Sequence, residues 1–333
     1  MFGFSDRPVH EALGLFREWR GGEGGRGVKL CRFDQDRVGV VRGEGVVDVT
    51  DLFDREPRWP LPPGDWMVRQ MLDRLPQIAR AAEDGEPFPL AEARLESPVA
   101  APGKIIGAPI NYRAHIDEAH ADQGIGFGRA FADLKAHGLF LKAQSCLIGP
   151  SDEVRLRFPE RRNDHEVELV VVIGREASQV SRDAALDHVF GYTIGLDMTV
   201  RGPEWPVMRK SGDTYGVMGP WIVTADEIAD PNALDLSLAV NGAVRQAANT
   251  RDLIYDVQAL IEYASSFYTL HPGDVIFTGT PEGVSEVKPG DLMDAAIQGI
   301  GEMRVRIADQ WFSDQPAKDN DIMGRTHDQG RVY

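Results

Sequence analysis

Between residues 28 and 52 the chain reads VKLCRFDQDRVGVVRGEGVVDVTDL, short β-branched runs broken by Asp, Gly and Glu. That pattern predicts two or three strands of a meander. A Pro-rich passage, EPRWPLPPGDW, follows. Over residues 65–83 the apolar positions Met67, Met71, Leu72, Leu75 and Ile78 return near one face, which predicts a helix. A second Pro-rich stretch, 87–103, reads as a linker, with a domain boundary near residue 100.

Beyond that boundary strand signals are denser. VELVVVIG (167–174) is a candidate buried strand, HVFGYTIGLDM (188–198) contains another and GPWIVT (219–224) a third. In LSLAVNGAVRQA, Asn241-Gly242 separates two apolar runs, the strongest short hairpin signal. Residues 256–268 (DVQALIEYASSFY) place Val257, Leu260, Ile261, Ala264 and Phe267 at helical spacing, and Asp256 can cap the start. Pro-Gly-Asp recurs at 272–274 and 289–291, each time before apolar residues. The expectation is a mixed fold, mainly β: an amino-terminal β-rich domain (1–100), a larger domain (101–307) and a polar, Asp-rich tail (308–333).

Composition narrows the function classes. Hydrophobic residues make up 42% of 333, enough for a sizeable core. Thirty-six Lys and Arg stand against 52 Asp and Glu, a net charge of -16. Such a surface argues against sequence-independent nucleic-acid binding and against an anionic membrane surface. It does not exclude an anionic substrate, because a bound metal and a few basic residues can reverse the field inside a cleft. The two cysteines, Cys31 and Cys146, form no Cys/His cluster, so a disulfide framework and a structural zinc site are not expected. Asp6, Arg7, Glu11, Arg17 and Glu18 interrupt the first twenty residues, which lack the apolar run of a signal peptide. Apolar runs such as Leu169–Ile173 are too short to cross a bilayer. A cytoplasmic location is expected.

Four groups of residues could carry chemistry. Glu166 and Glu168 are two apart on a strand and so share a face. Like charges that close need a cation between them or a proton on one. Asp197, at the end of another apolar run, supplies a third hard oxygen ligand, suited to Mg²⁺ or Mn²⁺ and admissible for Ca²⁺. A solvated strand edge would present the same pair. His115 and Glu118, three apart, can touch on a helical turn, where the carboxylate orients the imidazole for proton transfer; a surface histidine beside an incidental acid has the same spacing. Arg209-Lys210-Ser211-Gly212-Asp213-Thr214 could hold an anion, as a solvated loop also could. In Thr278-Gly279-Thr280-Pro281-Glu282-Gly283-Val284 the glycines would let backbone N–H groups and the Thr280 hydroxyl approach a carboxylate.

The order of these motifs is more specific than any one of them. NYxxHxxE, FLK, DHEVEL, GYTIGLDMTVRG, RKSGDT, MGPW, VNGxVRQ, TLHPGDVIFTGTPEGV and KPGD occur in sequence over about residues 103–307. In this the chain resembles the fumarylacetoacetate hydrolase family. The resemblance implies a mixed β-roll core, usually homodimeric, with a variable amino-terminal β-domain. It implies that Glu166, Glu168 and Asp197 hold a divalent metal, that His115 and Glu118 are a catalytic dyad on a segment that orders over the substrate, and that Lys210 is the active-site lysine. It places Arg201, Thr280 and Lys142 at substrate-contacting positions. Three departures bear on the substrate. Glu204 stands where the family often has an amide, Gly212 where it often has an aromatic residue, and the stretch 119–139, with glycines at 124, 126 and 128, looks longer than usual. That length makes a movable lid an expectation.

The expected chemistry is metal-dependent hydrolysis of a C–C bond in a small acylpyruvate- or 1,3-diketone-like 2-oxo acid, with aromatic catabolism as the expected context. The same groups could serve an isomerase or decarboxylase of hydroxymuconate- or oxaloacetate-like diacids. A catalytically silent binding protein that keeps the fold is the reading from a different class.

Overall fold

The computed structural model describes residues 28–54, 56, 61–126, 134 and 138–309. The first twenty residues, on which the leader expectation rests, lie outside the described residues, as do most of the tail (310–333) and most of the expected lid (127–133 and 135–137).

The meander forms as β1 (Lys29–Phe33), β2 (Arg37–Arg42) and β3 (Gly45–Asp48). Helix α1 (Trp66–Asp84) starts where Asp65 accepts hydrogen bonds from the N–H groups of Met67 and Val68, and it buries Val68, Met71 and Ile78. The stretch expected as a linker is instead paired to the meander. Its strands β4 (Phe88–Pro89) and β5 (Leu95–Glu96) lie against β3 and β1. Glu96 takes Arg32 at 3.0 Å and the backbone N–H of Gln35, so the prolines bend a sheet edge rather than release a tether.

Next in order come β6 (Ile105–Gly107), α2 (Arg113–Ala121), α3 (Gln123–Gly126), β7 (Phe140–Lys142), β8 (Leu147–Ile148), β9 (Glu153–Val154), β10 (Asn163–Asp164), β11 (Val167–Ile173), β12 (Val189–Asp197), β13 (Thr199–Val200), α4 (Pro206–Arg209) and β14 (Gly216–Thr224). The hairpin β15 (Asp235–Val240) and β16 (Ala243–Asn249), helix α5 (Val257–Phe267) and strands β17 (Val275–Phe277), β18 (Leu292–Ile297) and β19 (Gly301–Ile307) complete the described chain. A twelve-stranded sheet runs β4-β3-β2-β1-β14-β12-β11-β17-β6-β7, with β5 beside β1 and β8 beside β14. A five-stranded sheet runs β16-β15-β18-β19-β9. The mainly β expectation is met.

Strand β11 is buried along its whole length because both faces are covered. Leu169, Val171 and Ile173 join the core shared with β15, β18, β19 and α5, while Val170 and Val172 join the core shared with α1 and the meander. Period two therefore sends Glu166 and Glu168 to the Val170 side, away from the second sheet. The strand's start is where an apolar row gives way to acids.

The hairpin turn is as expected: Asn241 and Gly242 have φ of 50° and 79°. A Cβ added at Gly242 would meet nothing within 4 Å, so its cost is purely conformational. Gly242→Ala should destabilise the protein by about 1 kcal/mol, the cost of the left-handed region for an L residue. The urea unfolding midpoint reads this; an unchanged midpoint would show that the turn adopts another conformation at no cost.

Candidate active site

Glu166 lies directly opposite Asp197, whose N–H donates to the Glu166 carbonyl at 2.9 Å. Strand β11 pairs with β12 in the matching register, Val167 with Leu196 and Glu168 with Gly195. Directly opposed residues of an antiparallel pair share a face, and so do residues two apart. Glu166, Glu168 and Asp197 thus converge, with one oxygen from each all within 4.8 Å of one another and all three residues buried. Two charges at that separation repel by roughly 3 kcal/mol at an effective dielectric constant of about 20.

Cations offset this repulsion from below. The Lys210 ammonium donates to Glu166 Oε2 at 2.5 Å, Asp197 Oδ2 at 2.7 Å and Thr199 Oγ1 at 2.8 Å. Lys142, fully buried, donates to Asp197 Oδ1 and to the Tyr215 carbonyl at 2.9 Å. Arg201 donates to Glu166 Oε1 at 2.9 Å and, through Nε, to Asp164 Oδ2 at 2.8 Å. Burial pushes the Glu166 carboxyl up, but Lys210 and Arg201 outweigh it and hold it at about 2. Burial also opposes charge on Lys210, yet Asp197, Glu166 and Glu168 hold its ammonium above the ordinary range. Glu168 is the exception. Burial, then the neighbouring Asp197, raises it well above the usual carboxylate range, and the 2.7 Å hydrogen bond from the Gly279 N–H does not compensate.

The dyad sits beside this cluster. On α2, His115 is buried and its Nδ1 lies 2.8 Å from Glu118 Oε2, while Glu118 Oε1 accepts the Gly283 N–H at 2.9 Å. The glycine-rich loop thus fixes the acid that orients the imidazole. A small cavity of about 50 Å³ is lined by His115, Glu166, Glu168, Arg201, Lys210 and Thr280, together with Phe140, Arg209 and neighbouring apolar residues. A larger open hollow of about 410 Å³, on α1 around Pro76, Arg80 and Asp84, gathers no comparable set of groups.

Of the residues expected from sequence, Glu118, Asp197, Lys142 and Glu204 do not line the cavity: Glu118 stands behind His115, and Asp197 offers an oxygen within 4.8 Å of those of Glu166 and Glu168. Lys142 is spent on Asp197. Glu204 is gripped by Arg161 through both carboxylate oxygens, at 2.8 and 3.1 Å. Three supporting residues were missed. Asp164 anchors both Arg201 and Arg162. Gln246, on β16, accepts the Val167 N–H at 3.1 Å and donates to Thr280 Oγ1 at 2.8 Å and the Pro281 carbonyl at 2.9 Å. His165 stands 3.0 Å from Gln246 Oε1 and 2.9 Å from Ser285 Oγ. Burial holds His165 below its ordinary range, so its neutral ring donates from Nδ1, since Gln246 Oε1 can only accept. All three lay within motifs read above, but only the packing of the second sheet reveals what they touch.

Three buried carboxyls with an oxygen from each within 4.8 Å of the others, one of them resisting ionisation, fit a hard divalent cation, which would be held by Glu166, Glu168 and Asp197. Fold and site define a class: a mainly β protein in which two members of a buried acidic triad share one cavity with a histidine held by a glutamate. The chain belongs to the fumarylacetoacetate hydrolase family, whose sequence model, described as fumarylacetoacetate (FAA) hydrolase C-terminal, matches residues 104–308. It is 52% identical over 284 residues to the maleylpyruvate hydrolase of Aquipseudomonas alcaligenes, covering 84% of this chain and 99% of that one. The crystal structure of maleylpyruvate hydrolase from Sphingobium sp. SYK-6 with manganese (II) ion and pyruvate is 41% identical, with a TM-score of 0.71 over 84% of this chain and 98% of that one. The 2-hydroxyhepta-2,4-diene-1,7-dioate isomerase of Mycobacterium marinum is 30% identical, with a TM-score of 0.62 over 84% and 98%.

Glu168→Gln tests the triad. A carboxyl held up in the folded state binds its proton more tightly there, so metal-free stability falls as pH rises above about 4.5, and the amide removes that slope. Below about pH 4.5 the metal-free melting temperature should change little, because an amide replaces a neutral carboxyl; toward neutral pH the variant should melt higher than the parent, which alone loses stability as the unfolded carboxyl ionises. Stabilisation by Mn²⁺, about 2.7 kcal/mol at a hundred times Kd in the parent, should be lost. Full retention of the Mn²⁺ shift would remove Glu168 from the ligand set.

Proposed function

We propose that this protein is a divalent-metal-dependent hydrolase that cleaves a C–C bond in a maleylpyruvate-like 2,4-dioxo acid, releasing pyruvate and the carboxylic acid of the acyl end. The observation that carries the reading is that His115, oriented by Glu118, lines one cavity with Glu166 and Glu168 of the acidic triad. The maleylpyruvate hydrolase relatives and the manganese and pyruvate of the Sphingobium structure support it.

In this mechanism a bound Mn²⁺ or Mg²⁺ supplies Lewis-acid polarisation and a fixed place for the 2-oxo acid end. Glu118 holds His115 Nδ1, which leaves Nε2 to take a proton from water. The water oxygen bonds to the distal carbonyl carbon as that carbon's bond to the methylene breaks. The electron pair passes to the pyruvate enolate, which His115 reprotonates at carbon. Lys210, at the cavity wall, lies where it can balance the enolate charge, and Arg201 and Thr280 flank the same space. The isomerase reading uses the same proton transfers without a water, and the Mycobacterium marinum relative keeps it as the alternative.

The same proposal includes a division near residue 100, supported by the start of the family match at 104, and a homodimer in the cytoplasm. No described helix is long and apolar enough to cross a membrane, and both cysteines are free and buried, as suits a reducing compartment.

With Mn²⁺ present, the parent protein should release pyruvate from maleylpyruvate and lose that activity when the metal is chelated. His115→Ala should lower kcat by about 10²–10⁴-fold while keeping the Mn²⁺-induced rise in melting temperature. Coupled pyruvate detection and thermal melts read the two effects. Unchanged turnover in the variant would remove His115 from proton transfer, and a product of unchanged mass would establish isomerisation.

A further inference from the structure

Helix α2 carries the dyad but has little apolar hold on the rest of the protein. It buries His115 and Ala119, and Ala119 belongs to a small cluster with Ile125 and Val284. Asn111 and Tyr112, buried just ahead of it, fix its start, with Asn111 donating to the Tyr255 and Thr278 carbonyls; the position of the rest of the helix depends on polar ties. One is Glu118 on the Gly283 N–H. The other lies at its C-terminal end. Asp122 is the C-cap residue, where an anion opposes the helix dipole. Its Oδ2 accepts from Arg162 Nη1 at 2.6 Å, and its Oδ1 accepts the Gly124 N–H at 2.8 Å. Arg162 holds the Asp122 carboxyl below the usual range.

Arg162 is joined at its other side to the metal-site candidates. Its Nε donates to fully buried Asp164 at 2.8 Å; Asp164 accepts Arg201 at 2.8 Å; Arg201 reaches Glu166 at 2.9 Å. Charges alternate at every step. We infer that Arg162 is a positioning residue that latches the dyad helix, through Asp122, to Glu166 of the acidic triad by way of Asp164 and Arg201, so that occupation of the triad steadies His115 and Glu118. The inference rests on the proposed roles of the triad and the dyad.

Removing Arg162 would leave Asp164 with Arg201 alone, a change that can disturb folding. Asp122→Asn is gentler. It cuts the outer end of the latch, keeps an oxygen for the Gly124 N–H, and leaves the buried pairs intact. Hydrogen exchange of residues 113–121, measured with and without Mn²⁺, needs no substrate. In the parent, Mn²⁺ should slow exchange in this segment. In Asp122→Asn, exchange should be faster and the Mn²⁺ effect on it should shrink, while Mn²⁺ affinity by calorimetry stays as in the parent. Against maleylpyruvate, kcat should fall about ten-fold with little change in KM, since a small misplacement of catalytic groups weakens the chemical step more than binding. Asp122→Glu, which keeps the charge, should restore part of both signals.

A lower melting temperature with unchanged exchange in 113–121 and unchanged kcat would make the pair a structural tie and overturn the inference. If the parent shows no Mn²⁺-dependent turnover, the proposed function fails. The exchange comparison would still decide the latch.

Discussion

Three acids on one face of a sheet, out of contact with water, are the constraint around which this site is organised. No carboxylate survives there unpaired. The chain answers with a line of alternating charge: Asp122, Arg162, Asp164, Arg201, Glu166, Lys210, Asp197, Lys142. Each inner member touches two of opposite sign. The inner pairs gain most from one another, because water screens them least. Asp122 and Arg162, both partly exposed, contribute little stability by themselves. Their value lies in where they end: one on the dyad helix, the other against a buried acid.

The two sheets divide the labour. Strands β11 and β12 present the acids, since register and period two leave no other face for them. The second sheet steadies those strands from behind. Gln246 reaches from β16 to the Val167 N–H, between the two glutamates, and to Thr280 and Pro281 in the glycine-rich loop. That loop in turn gives the Gly279 N–H to Glu168 and the Gly283 N–H to Glu118. Gly279 and Gly283 both have positive φ, 98° and 92°. A Cβ on Gly283 would lie 2.0 Å from the Arg245 carbonyl, so the loop can approach β16 only with glycine there.

Much of this was legible in sequence because it follows from local periodicity. Helices α1 and α5, the Asn241-Gly242 turn, buried strand β11 and the shared face of Glu166 and Glu168 are all short-range consequences of spacing. The contact of His115 with Glu118 is another. What escaped depends on side chains meeting across long stretches of chain. The stretch 87–103 reads as a linker because its prolines are visible, whereas Arg32, which ties down Glu96, lies more than sixty residues away. Glu204 reads as a cavity residue by position, but Arg161 turns it aside. Lys142 reads as a substrate contact, yet the unmet charge of Asp197 takes it.

An acidic chain of net charge -16 can nonetheless favour an anionic substrate, and the local charge balance shows how. The alternating line is neutral as a whole, with four acids and four bases. Glu168 stands outside it, and burial and Asp197 make it hold its proton more tightly than a carboxyl ordinarily does. On the proposed reading, a divalent cation adds two positive charges and Glu168 gives up one proton, so the loaded site carries one positive charge in surplus. The carboxylate of a 2-oxo acid neutralises that surplus. Arg209 lines the same cavity and adds a favourable field for an acid with a second carboxylate. On that reading substrate charge is selected by the loaded centre, in a volume too small for the distant surface acids to dominate.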